Sequence, residues 1–245
     1  MRLLDAIRTE KLTKRYKSLT AVDALELTVK EGELFALLGV NGAGKSTTVK
    51  MLSCLVQPTE GDAFLCGHSV RKEAAAVKGI IGVSPQETAV APNLTVRENL
   101  LLMCGIYGFS KEKRAAQMAL LTEKLGLDTV LKRAAGKLSG GWQRRLSIAM
   151  ALIGEPRVLF LDEPTLGLDV LARSDLWELI RALKGNTTII LTTHYMEEAE
   201  TLSDRIGIMQ NGHLLACGTA AELKTLAGRE SLEDAFVALV KGERA

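Results

Sequence analysis

Short unbroken apolar runs recur along this chain, each ending in a polar or glycine-containing cluster, and they alternate with segments of helical period. Leu34-Phe35-Ala36-Leu37-Leu38 and Val158-Leu159-Phe160-Leu161 show no alternation, the pattern of strands covered on both faces of a parallel sheet. Thr187-Thr188-Ile189-Ile190-Leu191-Thr192 reads the same way, as does the stretch from Gly79 to the proline stop at Pro85. Leu25-Glu26-Leu27-Thr28-Val29 does alternate, which predicts a half-buried antiparallel strand. Pro58-Thr59-Glu60-Gly61 predicts a turn, Asp62 to Cys66 a strand ending at Gly67, and Asn211-Gly212 a hairpin between Arg205–Met209 and His213–Cys217.

Helical period takes over elsewhere. Thr47, Val49, Met51 and Leu52 predict a helix that begins near Lys45. Residues 87–137 read as a mostly helical insert: Thr95-Val96-Arg97-Glu98 has the form of a capping box, and Ser110 opens a second helix that Gly126 can close. Further helices are predicted after Ser139, running to Ile153, around Leu171–Leu183, and in two short pieces starting at Thr219 and Ser231. The result is an α/β chain with a mainly parallel core sheet, an antiparallel β region near the beginning, a helical insert and a helical tail.

The chemistry gathers at the ends of the apolar runs. Gly39-Val40-Asn41-Gly42-Ala43-Gly44-Lys45-Ser46-Thr47 satisfies every fixed position of the phosphate-binding loop, between a predicted strand and a predicted helix. Its glycines let the backbone curl around phosphate oxygens at the positive end of the helix. Lys45 is placed to reach the β- and γ-phosphates and Ser46 to offer a hydroxyl to Mg²⁺. Asp162 and Glu163 end an otherwise apolar strand, a costly place for two carboxylates unless a metal or a reaction uses them. Asp162 suits the shell of Mg²⁺, and Glu163 suits polarisation of an attacking water. Ser139-Gly140-Gly141 starts a helix and makes a second anion site plausible, although such residues commonly open helices. Tyr16 can stack on a base or simply pack in its sheet, and His194 can meet a γ-phosphate or serve the fold.

Composition narrows the class. The 245 residues are 47% apolar and 24% charged with a net charge of +2, which gives no reason to expect nucleic acid as a partner. No Asn-Lys-x-Asp guanine motif occurs. Charge interrupts the first residues, Met1-Arg2-Leu3-Leu4-Asp5, too early for a signal peptide, so the chain is expected in the cytoplasm. The longest apolar run, Leu100 to Phe109, is about half of the roughly 20 residues that span a bilayer. Cys54, Cys66, Cys104 and Cys217 are scattered without zinc-site spacing and are expected to be buried free thiols.

The ordered set of phosphate loop, Gln86, Leu138-Ser139-Gly140-Gly141, Leu161-Asp162-Glu163-Pro164, Asp169 and His194 resembles the ATP-binding subunit of ABC transporters over nearly the whole chain. The resemblance implies a P-loop NTPase of the ABC type: a single ATP-binding domain over 1–245. Its core would take in about 1–86 and 138–225, its helical insert about 87–137 and its tail about 226–245. It implies ATP and Mg²⁺ as cofactors, with Ser46, Gln86 and Asp162 on the metal and Lys45, Glu163 and His194 in catalysis. It further implies Tyr16 stacked on adenine and Ser139, Gly140 and Gly141 against the ATP of a second subunit, with Asp169 joining the two sites. The partners would be a second ATP-binding subunit, most simply another copy, and a separate membrane permease that holds the chain at the inner face of the membrane. Leu94-Thr95-Val96-Arg97-Glu98-Asn99-Leu100 and Leu232-Glu233-Asp234-Ala235-Phe236 look most like the exporter branch. The rival is an ABC-type ATPase of ribosomes or DNA repair, which usually carries paired domains or long coiled coils. One position departs from the family's usual signature: Trp142 stands where glutamine is common.

Overall fold

In residues 34–38, 158–162 and 188–193 every side chain is buried, and the three segments pair side by side as parallel strands. The computed structural model describes residues 5–242, so the charged start at Met1–Leu4 and the last three residues lie outside the described residues. Along the chain run β1 (Asp5–Tyr16), β2 (Leu19–Leu25), β3 (Thr28–Lys30), β4 (Leu34–Leu38), α1 (Lys45–Leu52), β5 (Glu60–Leu65), β6 (His68–Ser69), α2 (Ala74–Ile80) and β7 (Ile81–Ser84). Then come α3 (Val96–Ile106), α4 (Lys111–Lys124), α5 (Gly140–Leu152), β8 (Val158–Asp162), α6 (Val170–Leu183) and β9 (Thr188–Thr193). The chain continues through α7 (Met196–Leu202), β10 (Arg205–Gln210), β11 (His213–Gly218), α8 (Ala220–Ala227) and α9 (Leu232–Lys241).

The central sheet has the order β11-β10-β4-β9-β8-β7, parallel except for the β10–β11 hairpin at its edge. Successive side chains point to opposite faces and so divide two cores. Leu159, Leu161, Ile189 and Leu191 join the core beneath α3 to α6, whereas Val158, Phe160 and Ile190 join Phe35 and Leu37 beneath the antiparallel sheet. That second sheet runs β2-β1-β5-β6, with β3 also paired to β1. A third core packs α8 and α9 onto β10 through Ile206, Leu223 and Phe236.

The alternating stretch Leu25–Val29 is not one strand. Glu26 and Leu27 separate β2 from β3, because the Thr9 hydroxyl accepts from Leu27 N (2.8 Å) and donates to the Leu25 carbonyl (2.8 Å), satisfying the backbone where it changes partners. Gly79 and Ile80 end α2 rather than begin β7, since helix abuts strand with no turn residue between them. β5 starts at Glu60, earlier than the predicted Asp62, because Glu60 pairs with Thr13. All four cysteines are free, but only Cys104 is buried; Cys54 and Cys66 are partly covered and Cys217 is exposed. Among the described residues no helix is long and apolar enough to cross a membrane.

Candidate functional site

In parallel register Leu38 lies opposite Thr193, Asp162 opposite Thr192, and Ser84 opposite Leu161. The C-terminal ends of four neighbouring strands therefore come together, where open α/β sheets hold ligands. From β4 the chain turns through Gly39–Gly44 into α1. Gly44 is left-handed (φ 105), and a Cβ there would lie 2.5 Å from the Ala21 carbonyl oxygen. Gly212, in the β10–β11 turn, donates its N–H to the Ala43 carbonyl (3.0 Å) and accepts from Asp23 N (3.0 Å). The loop is thus wedged between β2 and the edge hairpin.

Lys45 is buried at the head of α1. Its Nζ donates to the carbonyls of Gly39 (2.7 Å) and Val40 (3.3 Å) and lies 3.3 Å from Glu163 Oε1. Ser46 Oγ donates to Asp162 Oδ1 (3.1 Å), and the Thr192 hydroxyl donates to the same oxygen. Glu163 follows β8 with φ 47, uncommon for a residue with a side chain. Its N–H donates to Thr192 O (3.1 Å) and Oγ1 (3.0 Å), and its Oε2 lies 2.7 Å from His194 Nδ1. One carboxylate thus bridges the loop lysine and the strand-end histidine.

These groups surround a cavity of about 740 Å³ lined by residues 41–47, Gln86, Glu163 and His194. Leu19, Thr20, Ala21, Leu166 and Asn211 also line it, and none of them was expected from sequence. Asn211 had a turn signal, but only the placement of β10 beside β4 brings that turn to the loop. Gly39 and Val40 stand behind the cavity and contribute the carbonyls that hold Lys45. Tyr16 is 43% exposed and does not line the cavity; it sits across the β1–β2 hairpin from Leu19, which does.

Ser139, Gly140 and Gly141 lie away from this cavity, at the start of α5. Ser139 is exposed, and its side chain makes no capping bond to its own helix. Beside them Asp169 Oδ1 accepts from Ala172 N (2.9 Å) and starts α6. A Cβ added to Gly141 would come within 3.2 Å of the Ala172 Cβ, so the glycine lets the two helix starts approach. Trp142 rests partly buried on the insert core, with the Arg145 guanidinium 5.0 Å from its ring centre.

Behind His194, Glu198 on α7 is fully buried and accepts from Trp177 Nε1 (3.1 Å). Burial pushes its carboxyl above the usual carboxylate range, against the polar pull of Thr193, Thr165 and Trp177, and the Glu163 charge adds to the rise.

A helix-opening glycine loop, a buried lysine and a hydroxyl–carboxylate pair on adjacent parallel strand ends define a phosphate-loop nucleotide hydrolase. The family model described as ABC transporter matches residues 22–166, and the chain belongs to that family as an ATP-binding, ATP-hydrolysing subunit. It is 42% identical over 228 residues to the daunorubicin/doxorubicin resistance ATP-binding protein DrrA of Streptomyces peucetius, covering 93% of this chain and 69% of that one. It is 45% identical over 206 residues to the Nod factor export ATP-binding protein I of Burkholderia orbicola, covering 84% and 68%. With human ATP-binding cassette sub-family A member 2 it shares 46% identity over 230 residues, 91% of this chain but 9% of that much longer one. A solved ATP-binding subunit of an ABC transporter superposes with a TM-score of 0.85 at 29% identity, covering 96% and 99% of the two chains. A dimeric ATP-binding cassette in a post-hydrolysis state with ADP and Pi gives 0.78 at 27% identity, covering 87% and 98%.

Proposed function

We propose that this chain is the motor of an exporter, a single ATP-binding domain that closes head-to-tail on a second copy and drives a separate permease from the cytoplasmic face of the membrane. One observation carries the reading: Lys45, Ser46, Gln86, Glu163 and His194 converge on one cavity. Ser139 stands exposed outside it, free to meet the nucleotide of another copy. Names of relatives concerned with drug resistance and Nod factor export support the direction of transport.

The site suits Mg²⁺. Ser46 Oγ and Asp162 Oδ1 are hard oxygen donors 3.1 Å apart, and this ion takes few protein ligands when phosphates supply others. Ser46, Asp162 and Gln86 would hold it, and when bound it offsets charge on the β- and γ-phosphates. Lys45 exchanges loop carbonyls for phosphate oxygens, and the open start of α1 supplies N–H donors. Glu163 orients the attacking water, with His194 fixing its Oε2 beside the γ-phosphate. Tyr16 closes over the adenine at the Leu19 end of the cavity. Ser139, Gly140 and Gly141 complete the site across the dimer, and Asp169 links the two sites.

Glu163→Gln tests the assignment. Turnover should fall about 10²-fold or more with ATP affinity nearly kept, and light scattering should show the mass doubling only with Mg-ATP. Turnover at the parent rate would remove Glu163 from this role. Copurification with ribosomes or DNA, and not with a polytopic membrane protein, would sink the transport reading.

A further inference from the structure

One face of α5 is fastened to the strand end that carries Gln86. Ser147 Oγ lies 2.9 Å from Ser84 Oγ in the core. A turn earlier Arg144 donates from Nη1 to the Pro85 carbonyl (2.6 Å) and from Nη2 to the Gln86 carbonyl (2.7 Å). At the helix start the Thr88 hydroxyl donates to Gln143 Oε1 (3.4 Å). Residues 84 to 88 and 143 to 147 are thus joined rung by rung.

Arg144 is the costly rung. It is 4% exposed, and its short bonds go to neutral carbonyls, while Asp162 acts on it only through its charge. Taking a guanidinium out of water is expensive, and an apolar side chain could fill the same space without that cost. What an apolar side chain lacks is the planar fork that fixes two adjacent carbonyls in one orientation. One of those carbonyls belongs to Gln86, which lines the phosphate cavity.

We propose that Arg144 is a positioning residue for ATP hydrolysis: its fork on the Pro85 and Gln86 carbonyls holds Gln86 toward the cavity and makes it move together with the Ser139 end of α5. The helix start that meets one nucleotide and the glutamine that meets the other then travel as one body. Arg144 touches neither nucleotide and acts through Gln86, so the inference rests on the role given to Gln86 above.

A double-mutant cycle on the full chain tests it, reading kcat, binding of a fluorescent ATP analogue and the melting temperature of Arg144→Met, Gln86→Ala and the pair. Arg144→Met should lower kcat about 10- to 100-fold with nucleotide affinity kept within about 3-fold. In the Gln86→Ala background it should lower kcat no further, a silence that a general packing defect would not produce. Arg144→Lys, with one donor head for two carbonyls, should fall between parent and Arg144→Met and be equally silent without Gln86; it carries the test if Arg144→Met does not fold. Losses that multiply in the double variant, or Arg144→Met at the parent rate beside a slow Gln86→Ala, overturn the inference alone. Gln86→Ala at the parent rate overturns the role of Gln86 and the inference with it.

Discussion

The starts of α1 and α5 differ from those of the other seven α-helices among the described residues. Thr95, Ser110, Asp169, Thr219 and Ser231 each accept an N–H of the helix they open. The two remaining starts carry acid instead: Glu73 sits at the cap of α2, and Glu197 and Glu198 lie in the first turn of α7. Gly44 and Ser139 offer neither a capping bond nor a first-turn acid. Uncapped N–H groups and a dipole end with no acid beside it thus coincide at the starts of two α-helices, in the phosphate loop and in the signature. Five α-helices are capped by a side chain and two more carry an acid at their start; α1 and α5 have neither.

The sharpest way to break this contrast is to give α5 the missing acid. Ser139→Asp should lower ATP turnover by about 10²-fold or more, through repulsion of phosphate. The same change should raise the melting temperature by about 1–3 °C, because a carboxylate there complements the dipole. Lost turnover without any stabilisation would mean that the α5 start is not open. Ser139→Ala should cost roughly 10-fold in turnover and, having no cap bond to lose, less than about 0.5 kcal/mol in stability. Thr95→Ala is its mirror image: denaturant titration should show a loss of about 1 kcal/mol, with kcat unchanged.

The smallest effect concerns the acid in α7. Because burial raises the Glu198 carboxyl, the folded chain keeps a proton that the unfolded chain releases in the ordinary carboxylate range. Stability is therefore full below that range and falls as pH rises from it toward the raised folded value. Glu198→Gln keeps an acceptor for Trp177 and cannot ionise. It should match the parent near about pH 4 and be more stable near about pH 8, as measured by thermal melts. Equal stability at both would show that Glu198 is charged in the fold.

What could be read in the sequence was local chemistry. The loop at 39–47 announces itself by fixed spacing, and Thr95-Val96-Arg97-Glu98 announces α3 by a capping box that the structure contains, with Glu98 N donating to Thr95 Oγ1 (3.2 Å). α2 and α7 were missed because each is seven residues long, too short to show a period, and neither begins with a capping side chain. The division of Leu25–Val29 depends on Thr9, a partner 16 and 18 residues away that no window on that stretch contains. The same limit hid Asn211 and Leu166 in the cavity wall and the fork of Arg144, whose bonds span 58 and 59 residues.

Separation along the chain also sets when the site can exist at all. The strand leading to the phosphate loop is fixed by later partners: Gly32 N donates to Thr188 Oγ1 and Leu34 N to Asp204 Oδ2, across 156 and 170 residues. The loop itself leans on Gly212, which is made later still. At about 5–20 residues per second, a ribosome takes roughly 10–30 s to pass from one to the other. Until β9 and β10 have been made, β4 is an apolar strand with both edges unpaired, the kind of segment that chaperones shield and that aggregation finds. ATP cannot help the nascent chain fold early, because its binding loop sets only after Gly212 has been synthesised.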